Sequence, residues 1–303
     1  MNIRFDGKVA IVTGAGAGLG RQHALAFAAR GAKVVINDFG GSREGSGGSS
    51  AAALAVVEEI RAAGGTAIAN GANVADFGQV QDMVAQTMDA FGRVDILVNN
   101  AGILRDKSFA KMDVADFRTV LDVHLMGSMH GSKAVWDIMR EQKYGRIVMT
   151  TSAAGLYGNF GQANYGAAKM GLVGLMNVLH QEGIKNNIRI NTIAPIAATR
   201  MTAELLPPEA LAAIQPERVT PGVLFLCSEA APSRVVLSAG GGAFAAATMV
   251  ETAPCHFSAD TLTPEAIANR FAEISDWSTA SAYGEAGQEV GRFIETSLGA
   301  LRG

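Results

Sequence analysis

KVAIVTGAGAGLGRQHALAFAARGAKVVIND occupies residues 8–38, and the order of its parts decides the fold. A short β-branched run is followed by a cluster of glycines. A stretch of helical period comes next, and then a second β-branched run. Leu19, Ala24, Phe27 and Ala28 fall near one face of that helix, and Gly31 stops it. The helix carries the chain back across the sheet, so the two strands are expected to lie parallel. The crossover between them should be right-handed.

Working outward, further β-branched runs start at Thr66, Val94, Gly145 and Ile188, each separated from the next by a longer helical stretch. They are continuous apolar runs rather than alternating ones, as strands covered on both faces should be. The expectation is an α/β protein: a doubly wound parallel sheet, Rossmann-like, in a single domain with a C-terminal extension. The Gly/Ser-rich stretch FGGSREGSGGSSAAA (39–53) has the composition of a linker. It falls between the second strand and its crossover helix, where a domain boundary would orphan a strand, so it reads as a long surface loop. After about Ser233 the pattern weakens to a strand, a glycine break and another strand. TPEAIANRFAEI (263–274) then opens a helix, with Thr263 as N-cap and Pro264 at its first position.

Composition narrows the function classes. Hydrophobic residues are 49% of the 303 and charged residues 17%, which favours a packed core over disorder. A net charge of −3 gives no reason to expect nucleic acid or an anionic membrane as partner. No apolar run is long enough to span a bilayer, and the first residues lack the pattern of a secretory signal. Cys227 and Cys255 form no CxxC pair; two lone thiols fit a reducing compartment, or simply two small apolar residues. The histidines show no metal-ligand spacing, and no metal is expected.

The glycine cluster carries the first chemistry. Thr13, Gly14, Gly16, Gly18, Leu19 and Gly20 follow a strand and open a helix. Leu19 breaks the strict GxGxxG spacing, and Thr-Gly-x-x-x-Gly-x-Gly is what remains. Glycines there let the backbone approach a pyrophosphate, whose charge faces the helix N-terminus. A tight helix–sheet turn would use the same residues. Asp38 ends the second strand, where a carboxylate can bond the adenosine ribose hydroxyls and repel a 2′-phosphate. Neither Asn37, Phe39 nor Ala17 is basic. The expected cofactor is therefore NAD rather than NADP, with a polar strand end as the plain alternative for Asp38.

SAAGLYGNFGQANYGAAKM (152–170) carries the second. Tyr165 and Lys169 are i and i+4, so they share a helix face. A neighbouring cation is expected to lower the phenol pKa from about 10. Lys169 can also reach a ribose hydroxyl, and Ser152 at a strand end can orient a substrate oxygen. The three together imply proton transfer coupled to hydride transfer, on a small-molecule alcohol or ketone.

With these residues in place the chain resembles the short-chain dehydrogenase/reductase family over roughly residues 5–235. The matched elements are TGAGAGLG, Asp38, the segment Asn99-Asn100-Ala101-Gly102, Ser152 and Tyr165-x-x-x-Lys169. The resemblance implies that Tyr165 is the catalytic acid/base, that Lys169 binds ribose, and that Ser152 orients substrate. It implies that Asn99–Gly102 lines the cofactor site, that Asn73 and Val74 pack the adenine, and that Pro195, Ile196, Ala197, Ala198 and Thr199 cover the nicotinamide. Ile196 stands where the family usually has glycine. Residues 1–239 would be the dinucleotide-binding catalytic domain and 240–303 an extension packed on it, shaping the substrate pocket or a dimer contact.

NDFGGSREGSGGS (37–49) and NNAGILRDKSFAKM (99–112) narrow the resemblance, as do KYGRIVMTTSAAGLYGNFGQANY (143–165) and NTIAP (191–195). They are similar to the (3R)-hydroxyacyl-CoA dehydrogenase units of type 2 peroxisomal multifunctional enzymes, also known as 17β-hydroxysteroid dehydrogenase type 4. That implies a 3-hydroxyacyl-CoA or steroid-derived substrate and a role in lipid metabolism. It also implies a homodimer or homotetramer formed through the helices around 112–140 and 165–185. The chain ends in Leu-Arg-Gly rather than the Ser-Lys-Leu address, so a cytoplasmic, bacterial enzyme is expected. One departure is His124, where many members carry a relay asparagine; it holds a relay water itself or through its carbonyl, or it is a satisfied buried histidine. Two other readings stay open: a 3-oxoacyl reductase of fatty-acid synthesis, and a non-catalytic NAD-binding scaffold or sensor.

Overall fold

The computed structural model describes residues 2–198 and 207–302. Its strands are β1 (Val9–Thr13), β2 (Lys33–Asn37), β3 (Thr66–Asn70), β4 (Ile96–Asn99), β5 (Gly145–Thr150), β6 (Ile188–Ile196), β7 (Val236–Gly240) and β8 (Ala243–Ala247). All six β-branched runs of the sequence became strands. The helices α1 to α5 are Gly18–Ala29, Ala51–Ala62, Phe77–Phe91, Val114–Leu121 and Gly127–Gln142. Next come α6 (Ala153–Tyr157), α7 (Ala163–Gly183), α8 (Pro208–Ala213) and α9 (Thr220–Leu226). The last three are α10 (Pro264–Asn269), α11 (Phe271–Ile274) and α12 (Ala286–Arg302).

The sheet order is β3-β2-β1-β4-β5-β6-β7-β8, and every pairing from β3 to β7 is parallel. The doubly wound architecture is therefore as the sequence implied. All five residues of β1 are buried, as a central strand covered on both faces requires. Side chains alternate between faces. Ala10, Val12, Val34, Ile36 and Val98 join α1 and α2 in a core built around Phe27, Val56 and Ile60. α3, α5 and α7 pack on one another as the opposite layer. Winding reverses between β1 and β4, and in open α/β sheets a crevice opens beyond the carboxyl ends of the strands at that point.

The chain divides into two compact units, residues 1–246 and 247–303. The sequence-based division at 239/240 falls inside β7, one residue before its end; Gly241 and Gly242, with φ of +60° and +86°, connect β7 to β8. Within the second unit, the Thr263 side chain accepts from Ala266 N and caps α10 as expected. The single helix expected there breaks at Arg270. The Arg270 side chain turns back to the His256 carbonyl and to Glu273, and α11 starts afresh at Phe271.

Candidate active site

A cavity of about 720 Å³ opens at the carboxyl ends of the strands. One wall comes from the β1–α1 turn and the end of β2. Gly14, Gly18, Leu19 and Asp38 lie on it. The Asp38 carboxylate accepts from Gly16 N and from Gly40 N, both at 2.7 Å, and so ties the glycine turn to the loop after β2. A second wall carries Asn73 and Val74 after β3, and Asn100, Ala101 and Gly102 after β4. Pro195, Ile196 and Ala197, at the end of β6, form part of the rim. Ala198 donates its N–H to the Ile214 carbonyl at 2.7 Å, and Thr199 lies outside the described residues.

Thr13, Gly20 and Asn99 stand behind the cavity wall rather than on it, and Asn100 ties the wall to them. Thr13 Oγ1 accepts from the N–H groups of Asn100 and Ala101, at 3.0 and 3.1 Å. Asn100 Nδ2 donates back to the carbonyls of Thr13 and Gly14. The two loops are thus laced together, with Thr13 and Asn100 as the lace. Asn99 is buried and donates to Ser132 Oγ of α5 at 3.3 Å. A Cβ at Gly14 would come within 2.7 Å of Ala101 Cα, and one at Gly20 within 2.3 Å of the Gly14 carbonyl oxygen. The glycine turn has no room for side chains, and its free surface is backbone at a helix N-terminus. That surface, the Asp38 carboxylate and a cavity of this size fit a dinucleotide.

Ser152, Tyr165, Lys169 and His124 meet in the same cavity. Ser152 follows β5 by two residues and caps α6 by accepting from Ala154 N at 3.2 Å. Its hydroxyl lies near enough to the Tyr165 phenol to act on its acidity. Lys169 is buried, with Nζ donating to the Thr150 carbonyl and standing 5.3 Å from the Tyr165 ring centre. The expectation that Lys169 acidifies Tyr165 is corrected here. Burial pushes the Tyr165 phenol above its usual range; the nearby Ser152 hydroxyl opposes this, and the Asp106 charge adds to it. Burial likewise pushes Lys169 down, to about 7. Sharing a helix face also means sharing its desolvation, and the charged form of each group loses.

His124 sits on a single wide helical turn, Asp122–Met126, between α4 and α5. Such one-residue insertions in helices gather at functional sites. Its ring lies edge-on to Tyr165, with centres 5.1 Å apart. Ile103 places its N–H 3.1 Å and its carbonyl 2.8 Å from His124 Nε2, and one tautomer serves one of them. His124 Nδ1 is buried without a hydrogen-bond partner. The His124 carbonyl accepts from Ser128 Oγ at 2.7 Å. Burial first, then the Lys169 charge, holds the imidazole neutral, well below its ordinary pKa.

Sequence reasoning missed the far end of the cavity. Ser42, Arg43 and Gly45 of the Gly/Ser-rich loop line it, with Leu104, Asp106, Tyr157 and Gln162 opposite. The loop's position, directly after β2 and Asp38, was the available signal. Among the described residues no group of three or more His, Cys, Asp or Glu is placed to hold a metal. No helix among them is long and apolar enough to cross a membrane.

Residues 8–210 match the family described as short chain dehydrogenase. Over 291 residues the chain is 50% identical to peroxisomal multifunctional enzyme A of Dictyostelium discoideum, covering 96% of this chain and 65% of that protein. It superposes on full-length peroxisomal multifunctional enzyme type 2 from Drosophila melanogaster with a TM-score of 0.82 at 39% identity. That match covers 97% of this chain and 50% of the other. A 7α-hydroxysteroid dehydrogenase complexed with NADH and 7-oxo glycochenodeoxycholic acid gives a TM-score of 0.72 at 34% identity. It covers 80% of this chain and 96% of that one.

Proposed function

This chain belongs to the short-chain dehydrogenase family, and from that membership we propose that it oxidises a secondary alcohol with NAD, the substrate being a 3-hydroxyacyl-CoA or a steroid-derived hydroxy compound. The observation that carries the reading is the meeting of Ser152, Tyr165 and the buried Lys169 in one cavity, which Asp38 and the glycine turn also line. The multifunctional relatives support the acyl-CoA, and the steroid dehydrogenase complex supports the sterol alternative and NAD. Two unpaired thiols support a reducing, cytoplasmic setting.

In this reading Ser152 Oγ holds the substrate oxygen against Tyr165. The Tyr165 oxygen takes the alcohol proton during oxidation and returns it during reduction. Gly14, Gly18 and the α1 N-terminus hold the pyrophosphate, and Asp38 and Lys169 hold the two riboses. The bound dinucleotide supplies the carbon that accepts or returns the hydride. His124 keeps Tyr165 in place through its ring edge and, in the tautomer whose Nε2–H donates to the Ile103 carbonyl, offers Nδ1 as a hydrogen-bond acceptor on the buried side. A panel of CoA thioesters and free hydroxysteroids, assayed with NAD and NADP at fixed pH, tests the reading. Turnover of neither class would refute it.

Two expected outcomes follow from particular residues. Asp38→Ala should reduce the preference for NAD over NADP at least about tenfold in kcat/KM, about 1.4 kcal/mol, because the carboxylate that repels a 2′-phosphate is gone. An unchanged ratio counts against Asp38 as the selector. His124→Ala should lower kcat roughly tenfold and move the pH–rate profile, since it removes the neutral acceptor beside Tyr165. A profile that overlays the parent's would reduce His124 to a packing residue.

A further inference from the structure

The dinucleotide half and the proton-transfer half of the cavity are built from different parts of the chain, and Arg105 joins them, by its side chain on one side and its backbone carbonyl on the other. The Gly/Ser-rich loop 39–50 carries Ser42, Arg43 and Gly45 into the cavity beside Asp38. Its backbone is held at two places by the segment after β4: Leu104 N donates to the Arg43 carbonyl at 3.1 Å, and Arg105 Nε donates to the Glu44 carbonyl at 3.0 Å. The same guanidinium reaches α4, with Nη1 3.0 Å from Asp116 Oδ1 and 3.5 Å from Thr119 Oγ1. Arg105 is a planar fork with five fixed donors, so a contact at one edge orients the other.

The backbone of Arg105 makes the third connection. Its carbonyl accepts from Asn164 Nδ2 at 3.0 Å. Asn164 is fully buried, and its Oδ1 accepts from Tyr165 N at 2.7 Å. That N–H belongs to the first turn of α7, where helix donors lack intrahelical partners. The Asn164 amide has a single allowed orientation here. Its oxygen must face the Tyr165 N–H, and its nitrogen must face the Arg105 carbonyl.

We propose that Arg105 and Asn164 are positioning residues that couple the 39–50 loop to Tyr165, so that a dinucleotide held under the loop sets the place of the acid/base. The inference rests on the reading of Tyr165 as acid/base for its kinetic half alone. Its binding half stands without that reading. Coupling of this kind is reciprocal: whatever fixes the loop fixes the first turn of α7, and the reverse.

The test uses the full chain and three variants. Asn164→Asp is the informative one. The new carboxylate still accepts from Tyr165 N and suits a helix N-terminus, but it sets an acceptor against the Arg105 carbonyl. Arg105→Ala removes the fork, and Arg105→Lys restores one contact at a time. Three readouts are taken: the Kd for NAD by titration, hydrogen exchange in segments 39–50 and 163–167 with and without NAD, and the kcat pH profile.

Arg105→Ala is expected to weaken NAD at least about tenfold and to unprotect the loop, with Arg105→Lys between it and the parent. Asn164→Asp is expected to leave Kd within about twofold but to abolish the NAD-induced protection of 163–167 and shift the kcat profile. Should Arg105→Ala fail to fold, Arg105→Lys and Asn164→Asp still decide the matter. Variants that lower only the melting temperature, with Kd, exchange and profile as in the parent, overturn the proposal. If no variant, nor the parent, turns over any alcohol, the functional reading fails while the exchange result still tests the coupling.

Discussion

Tyr165→Phe is expected to lower kcat at least about 100-fold with little change in the affinity for NAD. The variant is a clean one in this structure. The ring that meets His124 edge-on at 5.1 Å stays, and so does the N–H that Asn164 holds. Only the hydroxyl goes, from a side chain whose ring and backbone keep their contacts. Losing the interactions of one hydroxyl costs about 1 kcal/mol of stability, so the fold should survive and the loss should be chemical. Paired measurements decide it: kcat on the best alcohol of the substrate panel, and Kd for NAD by fluorescence titration. A kcat within about threefold of the parent would falsify the acid/base role. A scaffold that binds NAD without chemistry would show no turnover in either form, so the same pair of measurements separates an enzyme from a sensor.

What the sequence disclosed and what it withheld divide along a physical line. β1 to β6 were legible because a strand covered on both faces must be apolar throughout, and that leaves a continuous run in the chain. Asp38, Ser152, Tyr165 and Lys169 were legible because strand ends and an i, i+4 pair on a helix place them by local geometry alone. The 39–50 loop was placed correctly as a long loop, but its role as a cavity wall was not seen. That role comes from hydrogen bonds to the loop's backbone carbonyls from residues some sixty positions away, such as Arg105 Nε to the Glu44 carbonyl, which no spacing announces. The wide turn at His124 was equally silent, since a one-residue insertion in a helix needs no special residue. The sign of the Tyr165 shift was misread for the same reason. Spacing gives neighbours, and burial, which reverses the effect of a neighbouring charge, comes from everything packed around them.

Lys169 therefore carries a second large expectation, on stability and activity in opposite directions. Burial holds its amine at about 7, against an ordinary value of 10.5. Between those values the unfolded chain binds a proton that the folded chain rejects, so the stability of the parent rises as pH goes from about 7 to about 10.5. At and below pH 7 the cost of burying the ammonium is fully present. At about 1.4 kcal/mol per unit it amounts to roughly 5 kcal/mol. Lys169→Met removes that cost and fills the same space with an unbranched apolar chain. The loss of the hydrogen bond to the Thr150 carbonyl gives back about 1–3 kcal/mol. The net expectation is a variant more stable than the parent by about 2–4 kcal/mol at pH 6, with the difference shrinking towards pH 10. Its kcat/KM should fall at least about 100-fold, because the amine beside Tyr165 that also reaches the ribose is gone. Denaturant midpoints at pH 6, 8 and 10 test the first half, and turnover tests the second. A Met variant less stable than the parent at pH 6 would show that Lys169 is accommodated in the core at no cost. An active one would remove the lysine from the chemistry altogether. A stabilised and inactive protein is the signature of a charge that the fold tolerates because the reaction needs it.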